Sequence, residues 1–285
     1  MVASTLLFAA MGAAVKIAST SLPTAMIVFA RSSLGLVALL PWLIRLGPRN
    51  LATGHFPEHV VRGLAGVGAM YCFFYAIAHL RLADAVLLNY SLPLFMPFIE
   101  SAWLGEPFPR RLWWSLGLGF LGVIVILRPG AGIFQPAALA GVAAALFAAL
   151  AQVGVRRLTR SEPSSRIVFY FGVISTAVSA LPLATGWRTP APSMWLTLLV
   201  LGALATAGQL FLTEAYAYAP AARVGPFIYA SVVFAGLFDW WLFGKPPDRY
   251  TLVGAVLIAF AGGLALRLRG ASVIEPATAA PPPAR

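Results

Sequence analysis

Charged residues are scarce in this sequence: Asp, Glu, Lys and Arg together make up 10% of its 285 residues, whereas hydrophobic residues make up 60%. A soluble domain of this length would need far more polar surface to cover its core. The mean hydropathy of +0.85 is typical of a chain that crosses a membrane several times. The composition therefore argues against a soluble protein and predicts a polytopic membrane protein.

The residues that form disulfides and bind metals, cysteine and histidine, are scarce in this sequence. The one cysteine, Cys72, lies inside an apolar segment and cannot form an intramolecular disulfide. Three histidines, His55, His59 and His79, make a His-based metal site improbable on composition. The sequence also lacks the GxxxxGK[ST] loop of ATP-driven pumps, the HExxH of metalloproteases and the GxSxG of hydrolases. We expect no catalytic residue, metal or cofactor.

Hydrophobic windows of about 19 residues mark ten candidate membrane helices. Each has roughly the 17 to 25 residues that a span needs. The first lacks a basic start and a small-residue cleavage site, so we expect a retained helix rather than a signal peptide; a true start upstream of Met1 stays open. The ten spans are 2–19, 23–44, 62–80, 84–104, 111–128, 137–156, 166–186, 193–216, 223–243 and 250–267.

The net charge of +11 has a direct explanation in a membrane protein, because Lys and Arg collect in cytoplasmic loops. With a cytoplasmic N-terminus, thirteen of the twenty Lys and Arg residues fall in inner loops, six in outer loops and Arg31 inside a span. Arg62 counts among the inner thirteen. This bias predicts that both termini are cytoplasmic, in a multi-pass protein of the cytoplasmic (inner) membrane. Since loop charges of this kind explain the net positive charge, we expect no nucleic-acid partner.

The two halves of the chain resemble each other at an offset of 139 residues. Tyr90 matches Tyr229, and the acid Glu100 matches the acid Asp239 in the same register. Each half has five spans, an odd number, so the second half enters the membrane from the opposite side. Inverted repeats around a midplane site are a recurrent architecture of secondary transporters.

The predicted fold is therefore an all-α polytopic membrane protein of ten transmembrane helices, arranged as two inverted five-helix repeats. The first repeat spans 1–130 and the second 137–269. The remainder, 270–285, is rich in Pro and Ala and has no face that could pack, so we expect a disordered tail.

Four segments carry a resemblance to a known family: FARSSLGLVALLPWLIR, VVRGLAGVGAMYCFFYAIAHLRLADA, LLNYSLPLFMPFIESAWLGEPFPRRLW and LGFLGVIVILRPG. They resemble the drug/metabolite transporter superfamily, EamA type, over essentially the whole chain in two copies. The second copy departs from the pattern, with Lys245 in place of the acid of Leu-Gly-Glu and Val232 in place of Pro93. The resemblance implies a central cavity lined by spans one to four and six to nine, with spans five and ten at the periphery.

The resemblance does not name a substrate, because members of the superfamily carry amino acids, nucleotide sugars, cofactors and other metabolites. Within the superfamily, the first half looks most similar to the bacterial S-adenosylmethionine-type carriers.

Ionisable residues inside membrane spans are candidates for function because placing them there is costly. Arg31 presents a fork of donors that suits a carboxylate or phosphate, although it could instead bridge helices through backbone carbonyls. Glu214 has no basic neighbour in sequence and could carry a proton. Lys16 is expected to snorkel to the interface. The predicted substrate-binding residues are Arg31, Tyr71, Tyr75, Asn89, Tyr90, Gln152, Gln209, Glu214 and Tyr229.

In span four, Asn89, Pro93, Pro97 and Glu100 recur at intervals of four, four and three, which predicts a shared helical face. In the inverted arrangement Glu100 lies toward the cytoplasm and Asp239 toward the outside. Two interpretations stay open. In the first, Glu100 and Asp239 are gate or proton-linked groups, a role that Glu214 could share. In the second, they are carboxylates near helix ends whose charge is stabilised by a neighbouring Arg or by interfacial water.

The leading hypothesis is a secondary transporter of a small polar or amphipathic metabolite that works by alternating access, with export favoured. An importer or exchanger of S-adenosylmethionine-like metabolites is the alternative in the same class. A membrane-embedded enzyme would need clustered acids or histidines, and a channel would show a unitary conductance. The expected partners are the metabolite and the lipid bilayer, and the expected state is a monomer or weak homodimer.

Overall fold

The computed structural model describes residues 1–46, 51–105, 112–127, 135–218 and 230–272, and the regular elements within them are helices. Residues 273–285, most of the predicted tail, lie outside this description. In chain order the helices are α1 Val2–Ala18, α2 Thr24–Leu46, α3 Phe56–His79, α4 Leu82–Asn89, α5 Leu92–Leu104, α6 Leu112–Leu127, α7 Pro136–Leu158, α8 Ser164–Ala180, α9 Leu183–Gly186, α10 Pro192–Tyr218, α11 Ala230–Phe243 and α12 Arg249–Ser272.

These helices match the ten spans predicted from hydropathy, if α4 and α5 are taken as one broken span and the single turn α9 is set aside. Four segments are long and apolar enough to cross a membrane: Phe56–His79, Leu82–Trp103, Pro136–Leu158 and Pro192–Ala215. Large apolar side chains cover the outer surface; Trp114 is 83% exposed and Trp241 82% exposed. Lipid is the environment that suits such a surface, and the all-helical membrane class is confirmed.

The first-half helices pack against those of the second half. α3 packs most extensively against α7 and also contacts α8, while α1 packs against α10 and α11 and α2 against α8 and α10. α6 and α12 pack chiefly against each other. This places them at the edge of the bundle, where the resemblance puts spans five and ten.

The contact between α2 and α10 depends on residues without bulky side chains. A Cβ on Gly202 would lie 2.8 Å from the Cβ of Leu34 and 3.1 Å from the backbone nitrogen of Gly35. The Thr206 hydroxyl donates a hydrogen bond to the Gly35 carbonyl at 2.9 Å. Lipid supplies no hydrophobic drive between membrane helices, so close backbone contacts of this kind stabilise their association.

The helix of span four is broken after Asn89. Pro93 carries no N–H and cannot donate to the Asn89 carbonyl, and the Ser91 hydroxyl donates to the Leu88 carbonyl at 2.7 Å. The prediction that Asn89 and Glu100 share one continuous helical face is therefore wrong. Asn89 lines an internal cavity, whereas Glu100 forms an ion pair near the end of the bundle.

The last turns of α1 and α7 lie at opposite ends of α3. Lys16, in the last turn of α1, donates hydrogen bonds to the carbonyls of Ile77 and Leu80 at the C-terminal end of α3. Arg157, in the last turn of α7, lies 3.5 Å from Glu58 in the first turn of α3. α1 and α7 therefore run in opposite directions. We call these two ends of the bundle the Lys16 end and the Arg157 end.

Candidate functional site

A cavity of about 160 Å³ lies inside the bundle, between helices of the two halves. Its wall combines side chains of α1, α2, α3 and α4 with side chains of α7, α8, α10 and α11. No group of three or more His, Cys, Asp or Glu able to hold a metal ion occurs in the described part of the chain. The polar lining residues are Ser4, Thr5, Arg31, Arg62, Asn89, Tyr90, Gln152, Gln209 and Ser231.

Two arginines supply the charge of this wall in the described residues. Arg31 is 8% exposed and Arg62 3% exposed. Their guanidinium carbons lie 5.1 Å and 3.6 Å from the centre of the Phe171 ring, so the two groups are at most 8.7 Å apart. The ring face attracts both cations. Within the described ranges, Nε of both arginines and Nη1 of Arg62 have no hydrogen-bond partner.

Arg62 is a functional candidate that the sequence analysis missed. The sequence analysis counted it with the inner-side charges at the start of span three, whereas it lies six residues after the first residue of α3 and is buried. Arg62, Gly66, Ala69 and Phe73 all line the cavity at helical spacing, and this spacing is the signal that could have identified Arg62. Gly66 leaves the space for the aromatic ring, since a Cβ there would lie 2.5 Å from Cε2 of Phe171.

Three amide side chains reach the cavity from three helices: Asn89 at the end of α4, Gln152 in α7 and Gln209 in α10. Oε1 of Gln152 is buried without a hydrogen-bond partner among the described residues. Tyr90, also in the lining, is buried at the break between α4 and α5. Amides and phenols both donate and accept hydrogen bonds, so these residues can orient a polar ligand. The predicted binding residues that the structure brings together around the cavity are Arg31, Asn89, Tyr90, Gln152 and Gln209.

Three other predicted binding residues lie away from the cavity. Tyr75 is exposed on the outside of α3, and Tyr71 is half-buried on the same helix. Glu214 is exposed on α10. The fourth, Tyr229, lies outside the described residues. The role predicted for each of these four stays a prediction.

The two acids that match in the internal repeat lie at opposite ends of the bundle. Glu100 is buried at the Arg157 end and accepts a hydrogen bond from Nη1 of Arg156, in α7, at 2.8 Å. Asp239 is buried at the Lys16 end, where its Oδ2 accepts a hydrogen bond from the backbone nitrogen of Ala83, in α4, at 2.7 Å. Each acid thus contacts a helix of the other half, and contacts between the halves exist at both ends of the cavity.

A second buried acid fixes the loop between α7 and α8 at the Arg157 end. Glu162 accepts hydrogen bonds from the Thr53 hydroxyl and from Nη1 of Arg166, each at 2.6 Å. Burial raises the pKa of the Glu162 carboxyl, but these hydrogen bonds and the charges of Arg166 and His59 outweigh burial, so the pKa lies below its ordinary value. Glu162 therefore joins the segment before α3 to the loop before α8.

Comparison with known proteins gives a consistent picture. Residues 1–128 and 135–266 each match the model of the EamA-like transporter family. The chain is 36% identical over 256 residues to the pseudopaline exporter CntI of Pseudomonas aeruginosa, covering 89% of this chain and 90% of that protein. It is 32% identical over 267 residues to a riboflavin transporter of Brucella anthropi, covering 90% and 94% of the two chains.

A third relative is an S-adenosylmethionine uptake transporter of Rickettsia conorii, 29% identical over 244 residues, with 85% and 83% of the two chains covered. One solved crystal structure has a TM-score of 0.66 with this chain at 21% identity. The aligned region covers 94% of this chain and 98% of the chain in that structure. At that identity the likeness concerns the fold alone.

Proposed function

Because the chain belongs to the EamA-like transporter family, we propose that it moves a small polar or amphipathic metabolite across the cytoplasmic membrane by alternating access, in the direction of export. The family match confirms the resemblance to the drug/metabolite transporter superfamily. Its relatives are transporters of small-molecule metabolites, and the protein is a transporter rather than an enzyme.

The observation that carries this proposal is the cavity between the two halves, whose wall includes nine polar residues. Its lining residues come from both halves, and contacts between the halves occur at both of its ends through Glu100 and Asp239. Breaking the contacts at one end while keeping those at the other would open the cavity to one side at a time. In this proposal Arg31, Asn89, Tyr90, Gln152 and Gln209 bind the substrate, and the two acids act as gate groups.

The arrangement of the halves is also part of the proposal. We take 1–130 and 137–269 to be inverted repeats, which is supported by the opposite directions of α1 and α7 and by the two separate family matches. Arg156, Arg157 and Arg166 lie at the Arg157 end. This supports a cytoplasmic position for that end, and with it cytoplasmic termini.

The transport test uses purified protein in proteoliposomes. Vesicles are loaded with a panel that contains riboflavin, S-adenosylmethionine, amino acids, dicarboxylates and sugar phosphates, and the loss of each compound is measured. A carrier gives saturable loss of one compound class, faster when a second member of that class is present on the other side. Protein-free liposomes are the control. A unitary conductance in a planar bilayer, or no loss of any compound, would contradict a carrier.

Export is supported by the relative named as a pseudopaline exporter, whereas an uptake transporter is a more distant relative at 29% identity. The direction is tested in cells that overproduce the protein. Export predicts that the compound class moved in vesicles is depleted in the cells and enriched in the medium. Accumulation inside the cells would instead establish an importer.

A further inference from the structure

The cavity contains two positive charges that no described residue neutralises. Arg31 and Arg62 are both more than nine-tenths buried, and their contacts with the Phe171 ring offset only part of the cost of removing two guanidinium groups from water. They also repel each other, since they are at most 8.7 Å apart. A buried charge of this kind persists where a counter-charge is supplied or where the protein uses it.

The acids in the described residues are placed elsewhere. Most of them have partners of their own, and Glu214 is exposed on α10. The partnered acids are Glu58 with Arg157, Asp84 with Thr251, Glu100 with Arg156, Glu162 with Arg166, Asp239 with Ala83 and Asp248 with Arg81. No described carboxylate therefore supplies the counter-charge for the cavity, and a bound anion would supply it.

We propose that the transported substrate carries two acidic groups, one held by Arg31 and the other by Arg62. A guanidinium fork binds a carboxylate or a phosphate through two parallel hydrogen bonds, and Nε of each arginine has no hydrogen-bond partner among the described residues. The limit of 8.7 Å between the two guanidinium carbons suits two acids joined by a short carbon chain. This inference rests on the proposed function, which it narrows to a class of substrate.

The remaining lining residues fit the rest of such a molecule. Phe8, Phe73 and Phe171 provide apolar contacts, while Asn89, Gln152 and Gln209 can orient amine, hydroxyl or carbonyl groups. Conversely, a sulfonium cation such as S-adenosylmethionine would enter a cavity that has two guanidinium groups and no described carboxylate in its wall. The electrostatics therefore disfavour the S-adenosylmethionine alternative for this chain.

The experiment measures thermal unfolding of the full-length protein in detergent, at constant ionic strength, with five probes. Glutarate carries two carboxylates and 3-phosphoglycerate carries a carboxylate and a phosphate; butyrate, inorganic phosphate and neutral glutaramide are the controls. Binding to the folded state raises Tm. We expect a larger rise with at least one of the two diacids than with butyrate or inorganic phosphate, and none with glutaramide. The better diacid identifies whether the second group is a carboxylate or a phosphate.

Variants connect this rise in Tm to the two arginines. Arg31→Gln and Arg62→Gln should each abolish most of the diacid-dependent rise, and Arg62→Lys should keep part of it because the charge remains without the fork. Arg188→Gln, at an exposed arginine, should behave as wild type. Because the substituted charges are buried and without a described counter-ion, Tm without ligand should not fall. No rise with either diacid, or an equal rise in both glutamine variants, overturns the proposal.

The outcome is distinguishable from a failure of the transport function. If the proteoliposomes move a neutral or cationic compound at a rate that Arg62→Gln leaves unchanged, the protein is a transporter and the diacid inference is wrong. If diacids raise Tm through both arginines but no compound crosses the vesicles, the binding site is real and the transport proposal is wrong.

Discussion

At the scale of single residues, Glu162 shows how a buried charge stabilises this fold. It accepts hydrogen bonds from Thr53 and Arg166, and each bond to an ionised group contributes about 1.5–3 kcal/mol. In the folded state these hydrogen bonds stabilise the ionised carboxylate, and this stabilisation holds the pKa of Glu162 below its ordinary value. This stabilisation is therefore complete above the unfolded-state pKa, about 4.3, and is lost as the pH falls through the lower folded-state pKa.

We expect Glu162→Gln to lower the free energy of unfolding near neutral pH by about 1–3 kcal/mol, and to reduce the fall in Tm between about pH 5 and pH 3. Thr53→Val should act in the same direction with a smaller effect, because it removes one of the two donors. Thr20→Val is the matched control, since its hydroxyl makes an exposed bond to the Ile17 carbonyl. Thermal unfolding in detergent measures all four proteins; an identical acid-side fall in wild type and Glu162→Gln would contradict the assignment.

Side-chain direction explains which predicted site residues reach the cavity. Gln209 and Glu214 are five residues apart on α10, about 140° around a helix of 3.6 residues per turn, and Gln209 alone faces inward. Tyr71 lies about 180° around α3 from Arg62. The sequence identifies polar residues within spans, but the inward face of each span depends on where its neighbours pack. Arg62 was missed because counting loop charges treats every Arg near the start of a span as exposed.

At the scale of helices, hydropathy alone predicts the ten spans because a lipid-facing helix must be apolar and must satisfy its own backbone hydrogen bonds. Pro93 could be identified as a weak point of span four. The missing hydrogen bond at the Asn89 carbonyl follows from Pro93, whereas the packing of Leu87 and Leu88 against Ala138 of α7 and Ile258 of α12 was not predictable from the sequence. The close approach of α2 and α10 likewise requires facing residues, Gly35 and Gly202, whose pairing sequence spacing does not reveal.

We expect Gly202→Ala to destabilise the protein by about 1–3 kcal/mol, since the added methyl group would force α2 and α10 apart at Leu34 and Gly35. Gly117→Ala is the matched control. A Cβ on Gly117 would meet no atom within 4 Å, and alanine favours a helix. The measurement is thermal unfolding in detergent. Equal Tm values for the two variants would show that the contact between α2 and α10 is not tightly packed.

At the scale of the whole molecule, the two ends of the bundle are built alike. Each end has an acid of the internal repeat that contacts the other half, Glu100 with Arg156 and Asp239 with Ala83. At the offset of 139 residues Lys16 aligns within one residue of Arg156, and Lys16 also contacts the connection before Ala83, through Leu80. A transporter with two such ends can release one while it keeps the other.

The ion pair at the Arg157 end is tested by a double-mutant cycle with Glu100→Gln, Arg156→Gln and both together. Arg156→Gln alone removes a partner from a buried carboxylate, so we expect a larger loss of unfolding free energy than in the double variant. The coupling should be about 0.5–3 kcal/mol. Arg157→Gln should cost less, because its partner Glu58 has a side chain that is 22% exposed, against 3% for Glu100. Additive effects of the two substitutions would show that the pair does not stabilise this end.

Alternating access itself is tested by labelling a single cysteine in the cavity from each side of the membrane. Cys72→Ser removes the one native cysteine, and Ser231→Cys places a thiol of similar size in the wall of the cavity. A membrane-impermeant maleimide is applied to right-side-out and inside-out vesicles, with and without Arg156→Gln. The account predicts a reciprocal change: Arg156→Gln raises the labelling rate from the Arg157 end and lowers it from the Lys16 end. Rates that rise together from both sides, or that do not change, would contradict alternating access.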